Sequence, residues 1–238
     1  MNLSRINTIE ALDKKVIACR ACPRLVEWRE EKALLKIPQY KDQKYWGKAV
    51  PGFGEADASI VIVGLAPAAN GANRTGRIFT GDKSSTWLYR ALHNNGLAKF
   101  PDSISKDDGQ EVYGVRILCA VRCAPPGDKP TKEEEKNCSH FLKKEIELLN
   151  PTAKVFVALG NLAYTAILNQ FKNMGYLIPS PKPKFAHNSP VEIFTPEGEK
   201  KIIVASYHPS QRNTNTGMLD EKMFDAVFAK AKRLAKLV

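Results

Sequence analysis

The chain has 238 residues, with 36 lysines and arginines against 25 aspartates and glutamates, a formal net charge of +11. That length suits one domain with room for a large core, and no segment holds the unbroken apolar run of a membrane span. The basic excess favours a polyanionic partner, nucleic acid before anionic lipid, because no basic amphipathic helix with an aromatic face stands out. Lysine-rich surfaces also serve thermostability, so charge alone does not choose. The first seven residues lack an apolar h-region, so no signal peptide is expected.

In chain order, residues 8–18 place Ile9, Leu12, Val16 and Ile17 near helical spacing and predict a short amphipathic helix. It runs into Cys19-Arg20-Ala21-Cys22-Pro23, and residues 26–35 predict a second helix. Residues 37–53 read as a covering loop in which Tyr40, Tyr45, Trp46 and Phe53 pack among lysines. The apolar run 59–63 predicts a buried strand, the glycine-rich stretch 64–82 a loop, and residues 84–95 a helix. Residues 97–110 are irregular, and 111–121 predict a second buried strand, ending in the proline-bounded loop 122–130.

Thr131 with Glu134 three residues on forms a capping box for a helix that carries Cys138 and stops at Asn150-Pro151. Residues 154–160 predict a third strand and 161–171 a helix. The stretch 175–187 is a stiff, exposed basic connection with Lys182 and Lys184. Residues 191–194 and 201–205 flank Pro196-Glu197-Gly198 as a hairpin, the second arm running into Ser206-Tyr207-His208-Pro209-Ser210. A basic helix over 219–237 closes the chain.

This alternation predicts an α/β fold, a three-layer α/β/α sandwich around a central, mainly parallel four-stranded sheet, in one domain spanning 1–238. Parallel strands release their loops at one edge. The glycine loop, the loop after Val121 and the His208 turn should therefore meet in space. In the glycine loop, free backbone N–H groups can face an anion, Arg74 and Arg77 add charge, and Phe79 adds a flat apolar face. The plainer alternative is a loop that only turns the chain, and neither the dinucleotide fingerprint nor the P-loop is present.

Five cysteines make a poor disulfide framework, so metal or cluster ligation is expected instead. Cys19 and Cys22 form a natural chelate, with Cys123 past a strand and Cys138 on the next helix. On spacing alone these four suit a zinc ion or a 4Fe–4S cluster equally. Cys119, mid-strand, reads as a small buried apolar residue. His208 sits in a turn fixed by Pro209. It could donate a hydrogen bond to a carbonyl that gains charge, or simply bond backbone there.

Together these residues carry a resemblance. The stretch from Gly64-Leu65-Ala66-Pro67-Ala68-Ala69 to Gly76-Arg77-Ile78-Phe79-Thr80-Gly81-Asp82 is similar to the first motif of family 5 uracil-DNA glycosylases, the UDGb type. Ser206-Tyr207-His208-Pro209-Ser210 is similar to the second. Cys19, Cys22, Cys123 and Cys138 resemble the 4Fe–4S ligand set of the family 4 and family 5 enzymes. The resemblance implies iron–sulfur rather than zinc, and a monofunctional glycosylase that flips uracil or another deaminated base out of double-stranded DNA and hydrolyses its glycosidic bond.

By resemblance, Phe79 would stack on the base beside Ala66, Pro67 and Asn70, and His208 would bond a base carbonyl. Ala66 stands where related families carry a carboxylate, so water would fall to Asp128 on the Pro-Pro loop, commonly Asn in the family, or to Asp82. Asn70 replaces a common His, and Cys119 takes the place of a uracil-reading Asn. Both changes suggest tolerance of hypoxanthine, xanthine or oxidised uracils. Ser210, Arg212 and Asn213 are expected to clamp phosphate or fill the gap left by the base, with Arg74, Arg77, Lys182 and Lys184 as further phosphate contacts. The expected setting is a cytoplasmic, nucleoid-associated monomer, with a sliding clamp as a candidate partner and no membrane. The alternative from another class is a non-catalytic iron–sulfur nucleic-acid-binding protein.

Overall fold

The computed structural model describes residues 3–237. The elements in order are α1 (Ile9–Ile17), α2 (Pro23–Leu34), β1 (Phe53–Gly54), β2 (Ile60–Gly64), α3 (Ala72–Thr75), α4 (Lys83–Asn94) and β3 (Val115–Cys119). Then follow α5 (Lys132–Leu149), β4 (Val155–Leu159), α6 (Asn161–Asn173), β5 (Pro190–Phe194), β6 (Lys200–Ser206), α7 (Gln211–Asn215) and α8 (Glu221–Ala235). Thr8 caps α1 through its side chain, and Thr131 with Glu134 closes the predicted capping box on α5. Among the described residues no helix is long and apolar enough to cross a membrane.

All six strands form one sheet in the order β1-β3-β2-β4-β6-β5. The four central strands are parallel, with Val63 opposite Leu118 and Val157 opposite Val204. The expected four-stranded sheet is therefore corrected to six. Antiparallel β1 and β5 extend it at the two edges. β1 is only two residues long, too short to show any alternation, and lies at the end of the segment read as loop. β5 is the first arm of the predicted hairpin.

Every residue of β2, β3 and β4 is buried, as a strand covered on both faces requires. Ile60 and Ile62 turn to one face, where Leu88 and Leu92 of α4 and Phe224 and Phe228 of α8 cover them. Val61 and Val63 turn to the other, against Leu142 and Ile146 of α5 and Ile167 and Phe171 of α6. This is the predicted three-layer sandwich. Each such side chain, fully buried, contributes about 1.5–3 kcal/mol relative to exposure. A third cluster lies beside the second, where Leu12 and Val16 of α1 and Leu25 of α2 meet Val121, Cys123 and Cys138.

The second and third clusters are joined by charge. Glu145 on α5, fully buried, accepts from Arg116 Nε at 2.8 Å and from Arg122 Nη2, and Arg116 also pairs with Asp13 of α1 at 2.9 Å. Burial alone would raise the Glu145 pKa; the charges of Arg122 and Arg116 outweigh it and hold the group below its usual value. Removing one member of a buried pair leaves an uncompensated charge and costs about 3–5 kcal/mol. Glu145→Gln is expected to lower unfolding stability by that amount, read as the midpoint of a urea titration. An unchanged midpoint would show that the two arginines find other anions.

Candidate active site

β2, β3, β4 and β6 run parallel, so their C-terminal ends open on the same edge. Two missing side chains shape that edge. A Cβ on Gly64, the last residue of β2, would stand 2.8 Å from Phe79 Cζ, so the Phe79 ring lies against bare backbone. A Cβ on Gly160, just past β4 at φ +92°, would stand 3.3 Å from His208 Cβ, and only glycine holds that φ without strain. The two rings then lie side by side at the strand ends, 6.2 Å between centroids and tilted by 35°. Phe79 itself holds φ 47°, a left-handed backbone that costs a non-glycine residue of order 1 kcal/mol or more.

His208 opens onto a cavity of about 860 Å³. Ala66 and Pro67 from the β2 exit form part of its wall, with Pro125 and Asp128 from the β3 exit and Gly160 and Asn161 from the β4 exit. Tyr207, Ser210, Arg212 and Asn213 complete the side formed by the β6 exit and α7. Among the described residues no protein group bonds the His208 ring nitrogens. Its carbonyl accepts from Asn213 Nδ2 at 2.9 Å, which holds the turn. Burial pushes its pKa down to about 4, so the imidazole is neutral at neutral pH. Asp128 sits exposed at the rim with φ 57°, and no hydrogen bond or ion pair engages its carboxylate among the described residues.

Several expected contributors are placed elsewhere. Arg74 is buried, its guanidinium spent on the Asn70 carbonyl at 2.7 Å, Gln43 at 2.6 Å and the Gly81 carbonyl at 2.8 Å. Arg77 is buried too, paired with Asp108 at 2.6 Å and bonded to Thr80 at 3.0 Å. Neither guanidinium is presented for phosphate, which corrects that expectation: both brace the loop from within. Asn70 lines a neighbouring cavity of about 740 Å³, and its Oδ1 accepts from Tyr45 at 3.0 Å. Asp82 reaches both cavities, yet its Oδ1 accepts from Ser85 N at 2.9 Å as the cap of α4, and burial raises its pKa. Cys119 is buried beside Gly64, its thiol pushed up to about 12 by burial, as a core residue should be. Ser210 caps α7, while Arg212 is exposed and Lys182 and Lys184 stand on the exposed connection.

One contributor was not read from the sequence. His187 stacks on Tyr207 at 4.9 Å and 13°, and its Nδ1 accepts from the Tyr207 backbone N–H at 3.1 Å. The proton therefore sits on Nε2, which faces the Met223 carbonyl at 3.3 Å. This neutral imidazole holds the chain one residue before His208. It lies in a stretch legible only as basic loop, so no local signal marked it.

The four cysteines from three segments converge. Cys19, Cys22, Cys123 and Cys138 line one pocket with Leu25, Ala49 and Val121. Among the described residues no set of three or more His, Cys, Asp or Glu side chains is placed to hold a metal ion. The surroundings nonetheless suit an anionic, thiolate-bound group. The Arg122 backbone N–H donates to Cys138 Sγ at 3.3 Å, and Arg29 Nη1 donates to Cys123 Sγ at 2.9 Å. Arg29 Nε and Arg122 Nε and Nη1 are buried with no partner. Donors aimed at sulfur and unanswered cationic N–H groups both fit negative charge at the pocket.

The model of the uracil DNA glycosylase superfamily matches residues 51–232. The type-5 uracil-DNA glycosylase of Thermus thermophilus is 46% identical over 228 residues, 96% of this chain and 99% of that protein. The type-5 enzyme of Mycobacterium leprae is 44% identical over 228 residues, 96% of each chain. That of Pyrobaculum aerophilum is 41% identical over 235 residues, 97% of each. The matched span contains β2 to β6 and every exit loop that builds the His208 cavity, and the chain belongs to the uracil-DNA glycosylase superfamily.

Proposed function

We propose that this chain removes uracil from DNA by hydrolysing the N-glycosidic bond, the activity named for its type-5 relatives. The observation that carries the reading is His208, its ring nitrogens free, on the wall of a cavity shared by four strand exits, with the buried Phe79 ring 6.2 Å away. A base inside a duplex is out of reach, so the nucleotide must be extruded, and Phe79 is assigned to stack on it from its place beside His208. His208, with free ring nitrogens and a neutral imidazole, then donates to a base carbonyl.

As the C1′–N1 bond breaks, its electron pair stays with the base and positive charge grows on the sugar. DNA phosphates offset the sugar charge. The hydrogen bond from His208 strengthens as the base becomes an anion, which is selective stabilisation of the transition state. Water adds to C1′ and gives up its proton. Asp128 is the group assigned to hold that water, because its carboxylate is free at the rim whereas Asp82 is committed to the α4 cap. The departing base takes up a proton from solvent.

The partner is double-stranded DNA bearing uracil. Lys83 and Arg212 at the cavity and Lys184 on the nearby connection provide the phosphate contacts in place of Arg74 and Arg77. Ser210 and Asn213 act by fixing the turn that carries His208. The four-cysteine pocket is assigned to a 4Fe–4S cluster held by Cys19, Cys22, Cys123 and Cys138. Its contribution when bound is structural, tying the N-terminal segment to the β3 exit and α5. The non-catalytic alternative is not favoured, since relatives along the whole chain are named as glycosylases.

Incubating the protein with uracil-containing duplex and cleaving with alkali should give strand breaks; intact strands would overturn the assignment. Hypoxanthine and xanthine duplexes are expected to be cut as well, and strict uracil dependence would refute that breadth. His208→Ala should lower the single-turnover rate by about 10²–10³ while duplex binding is kept. Asp128→Ala should lose rate with KM unchanged, and Asp128→Asn, which can still hold water, should keep more of it; rates equal to wild type in both variants would remove Asp128 from the mechanism.

The lowered His208 pKa also sets a pH dependence. Between about 4 and the ordinary histidine value the unfolded chain binds the proton that the folded chain refuses, so stability falls as pH drops through that window. His208→Gln should flatten this part of the stability profile. The wild-type rate should show no inflection from His208 near pH 6.5, because the buried imidazole stays neutral through that range and titrates only toward about 4.

A further inference from the structure

Arg29 of α2 is buried to 1% exposure. Its Nη1 reaches Cys123 Sγ at 2.9 Å, its Nη2 reaches the Cys19 carbonyl at 3.0 Å, and its Nε has no partner. The other buried guanidiniums nearby are matched: Arg116 by Asp13 and Glu145, and Arg122 by Glu145. Among the described residues no carboxylate pairs with Arg29. A guanidinium cannot shed its proton, so an unmatched one in an apolar interior is costly. The one side chain that bonds it is the Cys123 thiol; the carboxylate that feels its charge, Glu30, is paired with Arg20. With Glu30 committed to Arg20, the group placed to answer this charge directly is the Cys123 sulfur.

The other end of the residue is tied to the stretch that leads to Phe79. The Arg29 carbonyl accepts from Asn73 Nδ2 at 3.1 Å, and Asn73 is fully buried in the loop that carries Phe79. Gly47 N–H bonds the Asn73 carbonyl and Val50 N–H bonds the Arg122 carbonyl, so one short strap runs between the two regions. Arg29 is thus held by its backbone against the base loop and by its side chain against the cysteine pocket.

We infer that Arg29 is the counter-charge of the iron–sulfur cluster and a positioning residue for its Cys123 ligand, and that it sets the cluster's reduction potential and its retention. This rests on the cluster assignment made above. Hydrogen bonds to ligand sulfur and a fixed positive charge stabilise the more reduced, more negative cluster and so raise its potential. A lysine keeps the charge without the planar fork that reaches two acceptors.

The test compares wild type, Arg29→Gln and Arg29→Lys, full-length and purified without oxygen. Iron and sulfide are measured first, then the reduction potential by film voltammetry and the rate of iron loss to a chelator. Arg29→Gln should shift the potential to a more negative value and lose iron about 10-fold faster or more. Arg29→Lys should recover most of the potential and less of the retention. Where Arg29→Gln does not fold, Arg29→Lys alone still decides, by faster iron loss than wild type. Wild-type protein without iron and sulfide would refute the cluster assignment itself, and this inference with it. Wild type loaded, with both variants matching its potential and chelation rate, would overturn the role of Arg29 and leave the cluster standing.

Discussion

The site depends on close approach between backbone and ring. Phe79 can reach the end of β2 only because Gly64 presents no side chain, and His208 can sit over the end of β4 only because Gly160 presents none. A methyl group at either place would meet a ring or its Cβ inside or at the limit of contact distance. Parallel pairing of the four central strands supplies the common edge, but these two gaps set the spacing of the rings. The strained backbone at Phe79 is stable because its loop is braced from inside by Arg74 and Arg77.

Rigidity of that kind has a chemical use. Stabilising charge as it develops requires a donor fixed in advance, so that nothing has to reorganise during bond breaking. His208 meets this condition twice over. Asn213 holds its carbonyl, and His187 holds the peptide just before it. Both histidines are neutral for the same reason, burial without a nearby anion strong enough to offset it. One presents its ring to the cavity, and the other is consumed in holding the chain.

The sheet, its direction and the common edge were legible because apolar runs such as 59–63 and 154–160 leave few alternatives. Edge strands were harder to see: β1 offers two residues and no alternation, while β5 was visible as a hairpin arm but not as a sheet member. Motif residues fared according to whether their position or their environment decides the role. His208 and Asp128 stand on the walls of one cavity, Phe79 lies buried beside His208, and the four cysteines line one pocket. Arg74 and Arg77 carry charge that reads as a polyanion contact, yet tertiary packing turns both inward. Asp82 likewise reads as a free acid and is found capping α4. His187 acquires its part only through an aromatic neighbour 20 residues away, a separation no local pattern records.

Because the loop's arginines are spent inside, the surface attraction of this basic chain falls mostly to lysines on long flexible stems. Such point charges grip no single phosphate firmly, and each can be exchanged for the next at little cost. The inward turn of two arginines thus keeps the rigid guanidinium forks inside the loop and leaves the outer charge on mobile stems.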